Sequence, residues 1–356
     1  HGDYYVQFRE SPELHYANAV LALDGTPLTD ESRPDPHRVR EWSQSLGIDL
    51  EHHRVLSDEE RRNYIRDTLG HTYVQVSDSA MPYSSGRYNN MTEDAALCAA
   101  VRDFYGDGDA PIVTTSKTVA DEYRDAGFEE DGLAKKIDHT GNLRGTNRYA
   151  EERLGIQLGS SHHGDHEIRR RAAWLRETVD VSGKGMDRDY GSDLANSILR
   201  QMRENQTAQN VMRLGRDGGG ALIVLKTAAF PDWLPVAGKG GVTPWPDGMK
   251  EVLVAWNDLS PGPLKTVEAG EIADHDAVSV SERQVRNALD SFVELGYVKK
   301  GDHPNDGRKN VYVDDGLGGV DPEEYAEVEL PDLEWPAPAD GDEGDVPEVR
   351  LTNIYT

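Results

Sequence analysis

The sequence predicts an α/β fold, in which helices cover a parallel β-sheet and a smaller domain follows. Short apolar runs alternate with helical segments along most of the chain. This alternation is typical of parallel sheets, because each pair of parallel strands is joined by a segment that crosses the sheet. A stretch rich in glycine and proline at 234 to 246 then precedes a different pattern. With 356 residues and 37% hydrophobic content, the chain can form two domains and tails.

Residue spacing predicts the elements of the larger domain. An apolar run at 19 to 27 predicts a strand that ends in a Gly-Thr-Pro turn. The remaining predicted elements are, in chain order, a strand at 71–76, a helix at 92–106, a strand at 110–115, a helix at 116–127, a strand at 153–159, a helix at 165–179, one long helix at 193–216 and a strand at 221–226. Because the chain opens abruptly within an element, we expect the front of a larger protein to be missing.

The smaller domain is predicted between residues 241 and 318. A helix, two further helices joined by a turn, and two strands around an Asn-Asp-Gly tip follow one another. In the last of these helices, Val285, Leu289 and Phe292 share one face. The order of the elements resembles a winged helix domain. The acidic segment 319 to 356, rich in proline and glycine, is predicted to be a disordered or loosely docked tail.

The winged helix resemblance implies a set of DNA-contacting residues. Arg283, Arg286 and Asn287 would face a groove of the DNA, and Arg308 and Lys309 in the hairpin would contact phosphate. The charge of this domain favours DNA only weakly, since segment 264 to 310 holds nine acidic and seven basic residues. A docking or dimerisation module is therefore the alternative.

The charge balance is the strongest signal in the composition. There are 65 acidic and 38 basic residues, a net charge of -27, and arginine far outnumbers lysine. Such charge destabilises a compact chain in dilute buffer, whereas at molar salt the Debye length falls to roughly 3 Å and the repulsion is screened. The composition resembles that of halophilic proteins, above all those of haloarchaea and their plasmids or viruses. An ordinary acidic protein is the alternative.

Other features limit the class of protein. The sequence contains no apolar run long enough for a membrane span and no leader-like opening, so we expect a cytoplasmic protein without a membrane partner. Its single cysteine, Cys98, excludes internal disulfides and cysteine-based zinc sites. Cys98 lies on an apolar helical face, where packing is its expected role.

The segment QNVMRLGR, which begins at Gln209, resembles the sixth motif of superfamily 2 helicases, Gln-x-x-Gly-Arg-x-Gly-Arg. Gln209, Arg213, Gly215 and Arg216 carry the match, while Met212 stands where the family usually has glycine. The resemblance implies that Arg213 and Arg216 act as arginine fingers on ATP and that Gln209 contacts the nucleotide. Guanidinium groups suit this role, since they stay charged and pair bidentately with phosphate oxygens. The alternative is a surface helix with two solvated arginines.

Three further segments resemble helicase motifs and occur in the family's order. The third motif is matched by Asp24, Gly25, Thr26 and Pro27, the fourth by Thr115, Ser116 and Lys117, and the fifth by Gly145, Thr146 and Asn147. The resemblance assigns nucleic-acid contacts to Gly25, Thr26, Thr115, Ser116 and Lys117, and ATP contacts to Gly145 and Asn147. Asp24 and Asn147 depart from the family's usual residues.

Residues 15 to 240 are more narrowly similar to large helicase-related proteins of haloarchaeal genomes and mobile elements. The similarity implies that 1–34 is the end of a first motor domain with its linker, and that 35–240 is a RecA-like second motor domain. ATP and Mg²⁺ would be bound mainly by the missing N-terminal motor domain, because this chain has neither a phosphate loop nor an Asp-Glu-x-His motif. DNA is the expected partner, with RNA not excluded. The alternative function is a non-enzymatic winged helix regulator or docking protein on a degenerate motor scaffold.

Two polar segments each allow more than one interpretation. The segment GSSHHGDHE contains His162, His163, Asp165, His166 and Glu167, which are metal-ligand types. A loop that caps a helix or contacts a nucleic-acid backbone is the favoured interpretation, and no metal site is predicted. The run RRRAAWLR after it is either a solvated helix face or a phosphate-contacting patch.

Overall fold

The structure of this chain is a computed structural model. It describes residues 56–83, 89–143, 145–259, 266–303, 306–319 and 326–333. Gly25 and Thr26 of the third motif lie outside these ranges, as do the whole predicted segment 1–34 and the tail beyond residue 333.

Six parallel strands form the central sheet. They are β1 His71–Gln75, β2 Ile112–Thr115, β3 Lys136–His139, β4 Leu154–Leu158, β5 Ala221–Lys226 and β6 Val236–Lys239. Their order across the sheet is β3-β2-β4-β5-β1-β6, and every pair of neighbours is parallel. The predicted α/β class with a parallel sheet is therefore confirmed.

Seven α-helices accompany this sheet in the described ranges. They are α1 Asp58–Asn63, α2 Met91–Tyr105, α3 Lys117–Asp125, α4 Thr140–Leu143, α5 Gly164–Trp174, α6 Asp193–Met202 and α7 Glu204–Val211. None of the helices in these ranges combines the length and the apolar character needed to cross a membrane.

Both faces of the sheet are buried, as expected for parallel strands. On one face, Val74 and Val113 belong to the core that includes residues of α2 and α3. The residues just before them, Tyr73 and Ile112, belong to a second core with Ala208 of α7. Successive strand residues therefore point to opposite cores, which fixes the register of each strand.

The long helix predicted at 193–216 is instead two helices, since α6 ends at Met202 and α7 begins at Glu204. The residue between them, Arg203, has φ -113° and ψ -73°, outside the usual helical range. Its guanidinium lies 2.6 Å from the Glu204 carboxylate and donates to the Gly185 carbonyl at 2.9 Å. These contacts hold the chain at the break.

The smaller domain contains three helices and three strands. They are α8 Asp247–Leu259, β8 Thr266–Val267, α9 Ala269–Ala273, α10 Glu282–Glu294, β9 Val298–His303 and β10 Asp306–Asp314. The strands form an antiparallel sheet in the order β8-β10-β9. The predicted stripe of Val285, Leu289 and Phe292 is buried in its core with Trp256 and Tyr312.

The stretch rich in glycine and proline at 234 to 246 contains two strands. One is the edge strand β6, and the other is β7 Gly241–Pro244, which pairs in antiparallel register with β11 Ala326–Glu329. The tail was expected to be disordered or loosely docked, and its described residues 326–333 pack on the larger domain. The Tyr105 hydroxyl donates to the Pro331 carbonyl at 2.6 Å, and Leu333 contacts the core.

Candidate functional site

The turn between α7 and β5, residues 212 to 220, carries both arginines of the sixth motif and is called the arginine turn below. Its shape depends on glycine. Gly215 has φ +57°, and a Cβ there would lie 2.5 Å from the Gly220 carbonyl oxygen. Gly220 has φ +75°, and a Cβ there would lie 2.8 Å from the Gly70 carbonyl oxygen. No other residue fits this close backbone packing without a shift.

The turn brings the fifth and sixth motifs together. Arg216 donates from Nε to the Met212 carbonyl at 2.7 Å and from Nη1 to the Asn147 Oδ1 at 3.3 Å. Arg213 donates from Nη1 to the Thr146 carbonyl at 3.4 Å. Met212 has ordinary right-handed angles, φ -72° and ψ 9°, so this backbone does not require the family's usual glycine at that position.

Gln209 and Gly145 flank this arrangement. Gln209 is half-buried on α7, two residues before the helix ends. Gly145 is exposed with φ +71° in the loop that also carries Asn147. The Arg216–Asn147 contact lies near the edge of the sheet where β4 and β5 begin, because the neighbouring pair of Arg153 and Asp217 lies just before these strands.

The two arginines of the turn differ from their neighbours in charge pairing. Arg148 lies 3.0 Å from the Asp138 carboxylate, and Arg153 lies 2.5 Å from that of Asp217. Neither Arg213 nor Arg216 has a carboxylate partner among the described residues. Partial burial, and then the charge of Arg213, lower the pKa of Arg216. The turn thus presents two neighbouring positive charges, a favourable site for an anion.

A buried histidine underlies the turn. His71 opens β1 with 1% exposure, and its Nδ1 lies 3.0 Å from the Tyr73 hydroxyl. Burial lowers the pKa of His71 to about 4, and the charges of Arg216 and Arg153 act in the same direction. The imidazole is therefore neutral at pH 7. Sequence reasoning missed it, because a histidine at the start of a strand gives no signal of its neighbours.

The residues of the fourth motif lie at the opposite edge, where the strands end. Thr115 is buried, and its Oγ1 has no hydrogen-bond partner in the described structure. Ser116 caps α3, accepting from the Val119 amide at 3.4 Å, and donates to the Tyr83 carbonyl at 3.2 Å. Lys117 is exposed. The nucleic-acid residues predicted here are therefore separated from the arginine turn by the length of the strands.

An ionic cluster lies buried beside this edge. The Lys226 ammonium is 2.7 Å from Asp94 and 2.9 Å from Glu93, and the hydroxyls of Tyr83 and Tyr123 donate to Asp94 at 3.0 and 2.5 Å. Burial raises the pKa of Asp94, against the lowering effect of Lys226. Fully paired groups of this kind hold a structure together, and removing one member leaves a buried charge.

Cys98 lies on the same helix as Asp94 and is fully buried. Burial raises the pKa of its thiol, with the Asp94 carboxylate as a second cause. A buried thiol that stays protonated is unreactive, which agrees with the expected packing role.

Two of the five predicted DNA-contacting residues of the small domain form ion pairs. Arg283 and Asn287 are exposed on α10, and Arg308 lies on β10. Arg286 forms an ion pair with Glu282, and Lys309 lies 2.8 Å from Glu268.

Two further lysines of this domain are paired in the same way. Lys299 lies 2.6 Å from Asp315, and Lys300 lies 2.7 Å from Asp290. Exposed pairs of this kind contribute little to stability.

The histidine-rich segment does not gather its ligand-type residues. His163 and His166 are exposed, while Asp165 pairs with Arg188 and accepts from the Tyr190 hydroxyl at 2.8 Å. Among the described residues, no three histidine, cysteine or acidic side chains converge as a metal site would require.

No protein-family model matches this chain, and no curated protein is significantly similar to it. The likeness to helicases therefore depends on the motif residues themselves. Of these residues, the fifth and sixth motifs meet at the arginine turn, and the fourth lies at the far edge of the sheet.

Proposed function

We propose that this chain is the RecA-like second motor domain of a nucleic-acid-dependent ATPase of the helicase type. Arg213 and Arg216 would complete an ATP site whose phosphate loop and Mg²⁺ ligands belong to a first motor domain. The observation that carries the proposal is the pair of adjacent guanidiniums without carboxylate partners in the described part of so acidic a chain. A triphosphate is an anion that fits two such groups.

The contacts of the turn support a finger role. Asn147 and the Met212 carbonyl orient the Arg216 guanidinium, and the Thr146 carbonyl orients that of Arg213. Each guanidinium retains further N–H donors for phosphate oxygens. As the terminal phosphoryl group departs, these charges stabilise the transition state without moving, because the turn already holds them. Mg²⁺ bound with ATP in the first domain would neutralise the remaining charge.

We propose a winged helix role for the small domain, with DNA as its partner and RNA not excluded. The order α8-β8-α9-α10-β9-β10 and the three-stranded antiparallel sheet support this interpretation. Exposed Arg283 and Asn287 on α10 would contact the nucleic acid. We also propose a cytoplasmic, halophilic origin in haloarchaea or their mobile elements, which the net charge of -27 supports.

One observation favours a second function, a non-enzymatic regulator or docking protein on a degenerate motor scaffold. The paired lysines and Arg286 of the small domain lie against carboxylates rather than open to phosphate. A surface of paired charges suits docking to a protein at least as well as binding to DNA.

ATP turnover tests the main proposal. The protein should be assayed with its first motor domain, either in one full-length chain or added as a separate domain, in the presence of nucleic acid. Arg213→Ala and Arg216→Ala should each lower kcat by about 10³ or more, since an arginine finger acts mainly in the transition state. Arg216→Lys should lose nearly as much, because an ammonium cannot form the bidentate contact.

The matched control is Arg66→Ala, which removes an exposed arginine that pairs only with neighbouring groups on its own helical turn. It should turn over ATP at the unmodified rate. Equal hydrolysis with both Arg213 and Arg216 replaced by alanine would overturn the proposal, and the scaffold function would take its place.

A further inference from the structure

A buried aspartate on β3 contacts the loop that holds the two arginines. Asp138 is 2% exposed, and β3 is an edge strand of the sheet. The Tyr149 hydroxyl donates to Asp138 Oδ2 at 2.9 Å, and Arg148 Nη2 lies 3.0 Å from the same oxygen. The other oxygen, Oδ1, accepts from the His139 amide at 2.8 Å. Aspartate is disfavoured in strands and is rarely buried unless its oxygens are bonded, so these partners explain why the carboxylate can stay here.

Asp138, Arg148 and Tyr149 together are called the aspartate clamp below. Tyr149 is buried in the same core as Leu214 of the arginine turn. Arg148 Nη2 also donates to the Asn142 carbonyl at 2.8 Å, and its guanidinium lies over the Tyr149 ring, 5.3 Å from the centroid. Both oxygens of the carboxylate have partners, and a polar network satisfied in this way is rigid. The clamp therefore fixes the chain at residues 148 and 149.

On one side of the clamp, the chain holds both arginines directly. The Thr146 carbonyl accepts from Arg213, and the Asn147 side chain accepts from Arg216. The Arg148 amide donates to the Thr146 hydroxyl at 3.3 Å. The acceptors for the two guanidiniums are thus one and two residues before Arg148.

On the other side of the clamp, the chain bonds to the backbone of the arginine turn. The Ala150 carbonyl accepts from the Asp217 amide at 3.4 Å, and the Glu152 carbonyl accepts from the Gly215 amide at 3.0 Å. The segment 146–152 therefore contacts the turn on both sides of the clamp. A shift of the clamp would move the side-chain acceptors and the backbone of the turn together.

We propose that Asp138 is a positioning residue for the arginine turn and acts through Arg148 and Tyr149. At 2% exposure, Asp138 cannot reach a nucleotide itself. By holding residues 148 and 149, it sets where the guanidiniums of Arg213 and Arg216 lie. Such a role matters because a misplacement of about 1 Å, caused far from the reacting atoms, can lower a rate by about 10²-fold. The inference rests on the proposed function in taking the two arginines as groups that stabilise phosphoryl transfer.

The first measurement is amide hydrogen exchange of the whole protein, followed by mass spectrometry of peptides that cover residues 212 to 220. Tyr149→Phe removes one hydroxyl and keeps the ion pair, whereas Asp138→Asn keeps the shape and removes the charge. Both variants should speed exchange in the arginine turn several-fold, because amides of the turn bond to the segment that the clamp holds. This measurement needs neither ATP nor the first motor domain. If Asp138→Asn does not fold, the milder Tyr149→Phe decides.

Tyr123→Phe provides the matched control. The Tyr123 hydroxyl also donates to a buried aspartate, Asp94, which pairs with the basic residue Lys226. Its cluster lies in the core on the other face of the sheet, away from Tyr149. Tyr123→Phe should lower the melting temperature about as much as Tyr149→Phe does, yet leave exchange in the arginine turn unchanged.

The second measurement is ATP turnover with the first motor domain and saturating nucleic acid. Tyr149→Phe and Asp138→Asn should lower kcat by about 10-fold to 100-fold, while the KM for ATP changes less than about twofold, because a displaced finger weakens mainly the transition state. Tyr123→Phe should keep the unmodified kcat. In the Arg216→Ala background, the clamp variants should have a much smaller further effect, because groups that act as a unit are not additive.

Three results would each overturn the inference. They are equal exchange in the arginine turn for Tyr149→Phe and Tyr123→Phe, equal kcat for these two variants, and an undiminished loss of kcat in the background without Arg216. Failure of the proposed function is a different result, in which neither Arg213→Ala nor Arg216→Ala lowers turnover. The exchange measurement would then still decide whether the clamp holds the turn.

Discussion

Basic side chains in the arginine turn and in the small domain have different neighbours. In the turn, backbone carbonyls and an amide oxygen hold Arg213 and Arg216, and no described carboxylate pairs with them. In the small domain, Arg286, Lys300 and Lys309 each lie against a carboxylate. Most lysines and arginines in the described ranges lie against a carboxylate, although exposed ones such as Lys117 and Arg283 do not. The lack of a carboxylate partner at two neighbouring arginines of one turn is therefore the more informative observation.

The presence or absence of a carboxylate partner also indicates which region gains more when it binds an anion. A paired lysine must exchange one anion for another when it binds phosphate, so the net gain is small. An arginine held only by neutral acceptors gains a full charge-charge interaction when an anion arrives. We therefore expect changes in the arginine turn to have larger effects than changes in the small domain.

The largest expected effect on stability comes from His71, because burial, and after it the charges of Arg216 and Arg153, disfavour its protonated form. Its folded-state pKa of about 4 lies below the usual 6.5, so the unfolded chain binds a proton first as the pH falls. Stability should be lost between about pH 6.5 and pH 4, by about 3 kcal/mol in total. Denaturant unfolding at fixed KCl, at pH 7.5 and 4.5, measures the loss.

His71→Leu separates this loss from the titration of carboxylates, which also occurs in that range. On acidification, the free energy of unfolding of the variant should fall less than that of the unmodified protein, and the difference should equal the contribution of His71. A change at the exposed His166 serves as the control. An identical pH dependence for the His71 variant and the unmodified protein would show that the histidine is not held neutral beneath the turn.

A smaller effect is expected from the glycine packing of the turn. Gly215→Ala places a methyl group 2.5 Å from the Gly220 carbonyl oxygen and at positive φ, so we expect a loss of about 2 kcal/mol. Gly218→Ala is the comparison within the same turn, because its φ is +86° but nothing lies within 4 Å of the new Cβ. That variant should lose only about 1 kcal/mol, from backbone strain alone. Equal melting temperatures for the two variants would contradict the packing described here.

The smallest effect is expected in the small domain. Glu282→Gln releases Arg286 from its exposed ion pair, so stability should change by less than about 0.5 kcal/mol. Affinity for duplex DNA should rise a few-fold, because one repulsive charge is removed and one guanidinium is released. Gel-shift titration at fixed salt measures this change. Unchanged DNA affinity would favour docking as the role of α10.

The sequence predicted the fold class better than it predicted the individual elements. Buried runs such as the one in β5 are long and apolar, so their period is clear. The strand β3 was missed because only two of its four residues are fully buried, and it forms through pairing with β2. The strands β6 and β7 lie in a stretch whose glycines and prolines indicate a turn, although edge strands tolerate both.

The site was predictable in its residue types but not in its contacts. Motif spacing identified Arg213, Arg216 and Gly215. The hydrogen bond from Arg216 to Asn147 joins residues 69 positions apart, and no local pattern encodes it. The same holds for Lys226 and Asp94, since only tertiary packing brings a charged strand end onto a helix 132 positions away.

The pairing of β7 with β11 determines how the small domain is connected to the larger one. The chain leaves the larger domain after β7 and returns to it as β11, so the small domain is an insertion rather than an appendage. An inserted module has two tethers, and its rotation is more restricted than that of a module attached at one end. If the large domain moves during a cycle of nucleotide turnover, two tethers can transmit torque to the inserted module, whereas a single flexible tether would let it swing freely.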